Sequence, residues 1–322
     1  MVNYFDKLYS SIPPTISSSR GILDKIKFYS ALRFSVRNLA NILIPFYYIL
    51  TFDNPNFRLK KDKGNPQTKK IIVTLTSFPE RIKNIWLVIE SMLRQEIKPD
   101  KIILWLSKEQ FNGFEALPCK LKKQIERGLE ICFVNGDIRS HKKYYYAMKE
   151  FPEDLIITID DDILYRNDLI QLMLEHHMKN PSHIISLYCR RVKRSGEQLS
   201  KYNSWPKTTE EQISISELFY GSGGGTLFPP HSIHEDVFNI DLFMNLTPLA
   251  DDIWLNTMSR LNETYIHSIC NKNWTPLPII NRNNKTLSKQ NVTENLNDKQ
   301  IENVRKYYID KNNKDPFENK NK

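Results

Sequence analysis

The chain has 322 residues, 40% hydrophobic and 26% charged, with a net charge of +9, enough for one large core or a domain with appendages. Its four cysteines, Cys119, Cys132, Cys189 and Cys270, have no metal-ligand spacing, which argues against a disulfide framework and fits a reducing compartment. Residues 1–70 hold 12 Lys and Arg against 4 Asp and Glu, residues 71–280 hold 24 against 27, and residues 281–322 hold 10 against 6. The basic excess sits at the two ends, whereas a nucleic-acid enzyme would carry it along the groove of its body.

Residues 1–69 read as a basic, helical appendage. Residues 10–20 are rich in Ser and Pro and read as loop. Residues 23–38 fit a helix, with Lys25, Lys27, Arg33 and Arg37 among Ile26, Phe28, Leu32, Phe34 and Val36. Residues 39–52 carry no charge, but they are too short to span a bilayer and Pro45 interrupts them. They either pack on the body as core or lie in the membrane interface, with aromatic rings at headgroup depth and basic residues on anionic lipid. Residues 23–63 are the stretch that would make such a peripheral contact. No charged segment followed by an apolar run opens the chain, so the expected location is the cytoplasm or the inner face of the plasma membrane.

From residue 70 the pattern changes. Ile71-Ile72-Val73-Thr74-Leu75-Thr76 reads as a strand, and Ile85, Val88, Ile89, Met92 and Leu93 supply one face of a helix. A second strand covers 102–106, a helix 117–129, a third strand 131–134 and a helix 141–149. Strand and helix alternate four times in about ninety residues, which predicts a mostly parallel α/β sheet with flanking helices. No Gly-x-Gly-x-x-Gly or Gly-Lys-Ser/Thr turn follows a strand, which disfavours dinucleotides and ATP-type loops.

The fourth strand carries the most chemistry. Leu155-Ile156-Ile157-Thr158-Ile159 runs straight into Asp160-Asp161-Asp162. Ligands of such sheets bind at the carboxyl ends of strands. Adjacent carboxylates repel one another unless water or a cation screens them. Oxygen-only ligands suit Mg²⁺ or Mn²⁺, which also hold phosphates. Asp162 or Asp168 also fits a plain N-cap for the helix expected at 169–179.

Farther on, 184–188 reads as a strand and 190–205 as a polar loop. Gly221-Ser222-Gly223-Gly224-Gly225 approaches another short strand; glycine lets backbone come close to a ligand, or simply turns. Ala250-Asp251-Asp252-Ile253-Trp254 opens a helix, its aspartates either caps or a general base. Trp254 stacks on an acceptor sugar or packs in the core, and His267 is either a third metal ligand or structural. A ligand-closing loop is expected near 281–289, a weak helix at 299–308, and a polar, partly disordered tail over 291–322.

Five motifs stand in order: Leu75-Thr76-Ser77-Phe78-Pro79-Glu80-Arg81, Asp137 with Lys143, Asp160-Asp161-Asp162, Gly223-Gly224-Gly225 with Pro229-Pro230, and Ala250-Asp251-Asp252-Ile253-Trp254-Leu255. Over residues 70–290 the set resembles GT-A-fold glycosyltransferases of bacterial capsule and O-antigen clusters. The resemblance implies a Rossmann-like sheet and a metal-dependent transfer of sugar from a nucleotide-diphospho-sugar to a saccharide or lipid-linked saccharide. By position, it makes Asp160 and Asp162 the ligands of Mn²⁺ or Mg²⁺. It places Thr76, Ser77, Arg81, Asp137, Lys143 and Asp161 on the nucleotide-sugar. Gly223, Gly224, Gly225 and Trp254 would lie on the acceptor side, and Asp251 or Asp252 would be the catalytic base. The chain departs from the pattern at Ile138-Arg139-Ser140-His141, where relatives often have a Gly-Pro turn, so the motif's lysine falls on Lys143 or on Lys142. Two other readings fit the residues: a metal-dependent nucleotidyl- or phosphotransferase, and a basic membrane- or nucleic-acid-binding protein without catalysis.

Overall fold

The computed structural model describes residues 1–13, 28–59, 69–196, 198–269, 275–280 and 295–318. The Ser/Pro-rich segment beyond position 13, Lys25 and Lys27, Lys60, Lys61 and Lys63, Cys270 and the loop expected at 281–289 lie outside them.

Val2–Ser11 (α1) and Phe28–Leu50 (α2) precede the sheet. Ile71–Thr76 (β1), Ile85–Leu93 (α3), Lys101–Ser107 (β2), Cys119–Ile125 (α4), Leu129–Val134 (β3), Lys142–Glu150 (α5) and Leu155–Ile159 (β4) then alternate as expected. β4, β1, β2 and β3 lie side by side and parallel. The unbroken Ile/Val/Leu runs of β1 and β4 are buried because helices cover both faces. Ile163–Leu164 (β5), Leu169–Lys179 (α6), Ile184–Ser186 (β6), Cys189–Arg191 (β7), Arg194–Ser195 (β8), Gln198–Leu199 (β9), Gln212–Ser214 (β10), Leu218–Tyr220 (β11), Gly224–Phe228 (β12), Ile240–Leu246 (α7), Asp251–Leu261 (α8), Ile266–Ser268 (β13), Leu277–Pro278 (β14) and Leu296–Asn312 (α9) complete the order. β12 inserts antiparallel between β4 and β6, and β13 and β10 extend the sheet to eight strands. Val73, Leu75, Ile157 and Ile159 face a core shared with α1, α2, α3, α4 and α6. Ile72, Ile103, Trp105 and Ile156 face one shared with α5, α7, α8 and α9.

Several expectations change. The helix at 117–129 shrinks to α4, because Gly128 takes φ +110° and turns the chain into β3. The loop at 190–205 contains β7, β8 and β9, strands too short for periodicity to mark; β7 pairs with β11. The helix at 299–308 is α9, seventeen residues long, with Ile301, Val304 and Tyr308 buried where a tail was expected to begin nearby.

Pro45 does not break α2. Proline removes one helical hydrogen bond, but Val36, Ala40, Ile44 and Tyr48 bury one face of α2 in the core and hold it helical on both sides. The far end of α2 is tied down by charge. Glu90 is buried and pairs with Arg94 at 2.9 Å and with Arg127. Arg94 donates to the carbonyls of Tyr48 and Thr51, each at 3.4 Å, at the C-terminal end of the helix where a cation is favoured. Among the described residues no helix is long and apolar enough to cross a membrane.

Candidate active site

β4 delivers the three aspartates at its carboxyl end, and its parallel neighbour β1 delivers Ser77 beside them. The turn that follows β4 separates their roles. The Asp161 side chain is 7% exposed, against 40% for Asp160 and 29% for Asp162. Asp161 turns inward and accepts from Ser77 Oγ at 2.6 Å and from Arg81 Nη1 at 2.5 Å. Its expected contact with ribose or sugar is therefore corrected, because the carboxylate is buried against these two partners. Arg81 also lies 2.9 Å from Asp162, so Ser77 and Arg81 brace the acidic triplet. Thr76 Oγ1 donates to the Trp105 carbonyl at 2.8 Å.

Lys142 and Lys143 open α5 about 100° apart around its axis, so they meet different carboxylates. Lys142 pairs with Asp137, which also accepts from Gln110 Nε2 at 2.6 Å. Lys143 Nζ lies 2.7 Å from Asp160 and 3.0 Å from Asp251. Lys142 is thus the lysine that pairs with Asp137, and Lys143 bridges the two acidic clusters. The departure from a Gly-Pro turn has a backbone signature. Arg139 takes φ +54°, a region that favours glycine, and its N–H donates to Asp137 at 2.9 Å.

Asp251 and Asp252 occupy the first turn of α8, where the helix dipole favours anions. Asp251 accepts from Ser222 Oγ at 2.6 Å as well as from Lys143. Asp252 accepts from the Ile253 N–H at 2.9 Å and stays half-buried. The glycine run shapes this side of the site. A Cβ on Gly223 would lie 1.8 Å from Asp160 Cγ, so only glycine leaves that carboxylate its place. A Cβ on Gly224 would lie 2.5 Å from that of Tyr188, and Gly225 takes φ +93°.

Trp254 has no exposed surface, packs on Phe243 and donates to the Val237 carbonyl at 3.4 Å. Its acceptor-side role is corrected to core packing. His267 sits on β13, three strands from β4, with Nε2 2.6 Å from Glu211 and His176 beside it. It belongs to that cluster, whose ligand atoms lie within 4.8 Å of one another, and not to the triplet. Tyr188 and Arg190, half-buried and close enough to Asp252 to feel its charge, line this side and were not expected. They follow β6 without any motif, so no sequence signal marks them.

Among the described residues, Asp160, Asp161, Asp162, Asp251 and Asp252 form ion pairs with Lys143 and Arg81, and Arg190 lies near Asp252, so five carboxylates face three cations and a formal charge of −2 remains if all are ionised. The imbalance appears in the titrations. Burial, then repulsion from Asp160, pushes Asp162 up to about 7 despite Arg81. Burial, then Asp251, pushes Asp252 up to about 7. Burial also pushes Asp251 up, but Lys143, His141 and Ser222 outweigh it and hold that carboxyl at about 2. Burial opposes the charge on Lys143, yet Asp160 and Asp251 raise its pKa well above the usual value. Partly exposed hard oxygen donors with uncompensated charge fit a divalent cation, and Asp160 and Asp162 present such donors.

No protein-family model matches the sequence, and no curated protein does. Among solved structures, the chain is similar to glucosyl-3-phosphoglycerate synthase from Mycobacterium tuberculosis in complex with Mn²⁺, UDP and glucosyl-3-phosphoglycerate. That match has 15% identity and a TM-score of 0.28 over 37% of this chain and 43% of that one, less than half the enzyme's length. It is also similar to 4-diphosphocytidyl-2C-methyl-D-erythritol synthase from Anaerococcus prevotii, at 12% identity and a TM-score of 0.33 over 50% of this chain and 70% of that one. A third similarity is to CMP:2-keto-3-deoxy-manno-octonic acid synthetase complexed with CTP, at 10% identity and a TM-score of 0.39 over 72% of this chain and 99% of that one. Similarities of this size leave the site to be read from this chain's own residues.

Proposed function

We propose that the chain is a glycosyltransferase. It moves a sugar from a nucleotide-diphospho-sugar to a hydroxyl of a saccharide or lipid-linked saccharide, in surface-polysaccharide synthesis, with Mn²⁺ or Mg²⁺ as cofactor. The observation that supports this most is the joining of two acidic clusters through Lys143, with positive charge still lacking between them.

In this reading Asp160 and Asp162 hold the cation. When bound, it neutralises the charge that develops on the departing nucleoside diphosphate. Asp161 reaches neither donor nor metal; it fixes Ser77 and Arg81, so that Arg81 stays on Asp162. Lys143 holds Asp160 and Asp251 at one spacing. In transfer, the anomeric C–O bond to the diphosphate breaks and a bond from the acceptor oxygen forms. The acceptor proton passes to a carboxylate, and Asp252 suits that role better than Asp251. Its pKa near 7 makes it a base matched to neutral pH, whereas Asp251, held at about 2, is too weak a base. A base on the acceptor side implies inversion at the anomeric carbon.

The test is a panel of UDP-, GDP-, dTDP- and CDP-sugars followed by thermal shift with and without Mn²⁺, with chromatography of the nucleotide released. A donor-dependent shift that needs Mn²⁺ and fails in Asp162→Asn supports the reading, since a bound ligand stabilises by mass action. Release of nucleoside diphosphate identifies glycosyl transfer. Release of pyrophosphate from a nucleoside triphosphate would instead establish a nucleotidyltransferase.

A further inference from the structure

α2 is apolar on two faces. One is buried through Val36, Ala40, Ile44 and Tyr48. The other exposes Phe28, Leu32, Leu39, Ile42, Phe46 and Ile49 at spacings of three, four and seven residues, with Ile42 67% and Phe46 60% exposed. A helix that is apolar all round is ordinarily buried, and a contiguous exposed apolar stripe marks an interaction surface. Residues 39–52 offer that stripe no charged side chain. α1, packed against α2, exposes Tyr4 and Leu8. A 23-residue helix is about 35 Å long, and its docking on the core lays it along the protein surface rather than out from it.

We propose that this face of α2 docks the protein on an anionic lipid bilayer with the catalytic mouth beside the membrane surface. Charge selects that occupant. Residues 1–70 carry 12 basic against 4 acidic residues, whereas residues 71–280 carry 24 against 27. An anionic leaflet attracts the first segment and repels the body. A second copy of the same face would gain nothing from this charge, and the test below separates that occupant from a bilayer.

The stripe is also wired to the site. Asn41, next to Ile42, donates through Nδ2 to the Pro278 carbonyl at 3.0 Å and accepts at Oδ1 from the Ile280 N–H at 2.8 Å. Between them the Ile279 N–H donates to the Asp162 carbonyl at 2.8 Å. β14 meanwhile pairs with β5, which directly follows the acidic triplet. One side-chain amide and the short segment from Pro278 to Ile280 thus separate the exposed face from a proposed metal ligand. This deepens the transferase reading, on which it rests only for the acceptor: a mouth held at a leaflet selects a saccharide carried on a lipid.

The docking test needs no donor, so its failure and that of the transferase reading are distinguishable. The full chain is sedimented with sucrose-loaded vesicles of phosphatidylcholine, with and without phosphatidylglycerol, beside Ile42→Glu/Phe46→Glu and Leu50→Glu. These side chains are exposed, so unchanged melting temperatures and circular dichroism should confirm that the variants fold. The wild type is expected on phosphatidylglycerol vesicles, with weaker binding to phosphatidylcholine alone. Each variant is expected to bind about tenfold less tightly or worse, from the lost apolar insertion. A wild type left in the supernatant, variants that bind equally well, or a solution dimer that the variants split without any vesicle binding would each overturn the proposal.

Discussion

Replacing Asp252 by Asn should make the protein more stable and much less active, and the stability gain should depend on pH in a set direction. Asp252 is raised to about 7 in the fold, by burial first and Asp251 second. An unfolded Asp titrates near ~3.9. Its folded pKa is therefore the higher one. Ionisation favours the unfolded chain as pH rises from the unfolded value to the folded one, and above about 7 the penalty stays constant. Relative to a neutral side chain that cost is about 1 to 2 kcal/mol at pH 5 and about 4 at pH 8. Asn keeps the acceptor oxygen for the Ile253 N–H and drops the charge. The gain from Asp252→Asn should thus grow by about 3 kcal/mol between pH 5 and pH 8, read by urea unfolding at both, without metal or donor. Turnover should fall roughly 10²–10⁴-fold while donor affinity changes little. A gain equal at both pH values, or a loss at pH 8, would refute the account of Asp252 as a carboxyl kept from ionising by its surroundings. Loss of donor binding would move the residue to the nucleotide side.

Asp162→Asn should abolish metal-dependent turnover with the fold intact, checked by donor consumption against Mn²⁺ concentration. Gly223→Ala should displace the Asp160 carboxylate, because the new Cβ has no space at 1.8 Å from Cγ; weaker Mn²⁺ binding by thermal shift, with unchanged far-UV circular dichroism, is the expected result. Lys143→Met leaves Asp160 and Asp251 without their shared cation and should cost about 3 kcal/mol or more in urea unfolding. Added Mn²⁺ should recover part of that cost. Burial lowers His141 to about 4, below its unfolded value, so the contribution of His141 to stability should fall by about 3 kcal/mol as pH falls from about 6.5 to 4, against the opposite contribution of Asp252. His141→Gln, compared with the wild type by urea unfolding across that range, should remove this slope.

The sequence alone determined the sheet's parallel half and the place of the acidic triplet. β1 and β4 are short, mostly β-branched and aliphatic runs that end in polar residues, and a strand buried on both faces of a sheet demands such a run. Asp251 and Asp252 were likewise marked by their position at a helix start. Periodicity reports only which side of its own element a residue occupies. It does not say what lies opposite, so Lys142 and Lys143 looked alike until the packing of α5 against β1 and β4 gave one to Asp137 and the other to Asp160 and Asp251. Tertiary structure turned Asp161 inward, buried Trp254 and made Gly223 the space in which Asp160 sits. It also carried α2 through Pro45. In each case the deciding energy comes from a surface supplied by a distant part of the chain, and local pattern contains no record of that surface.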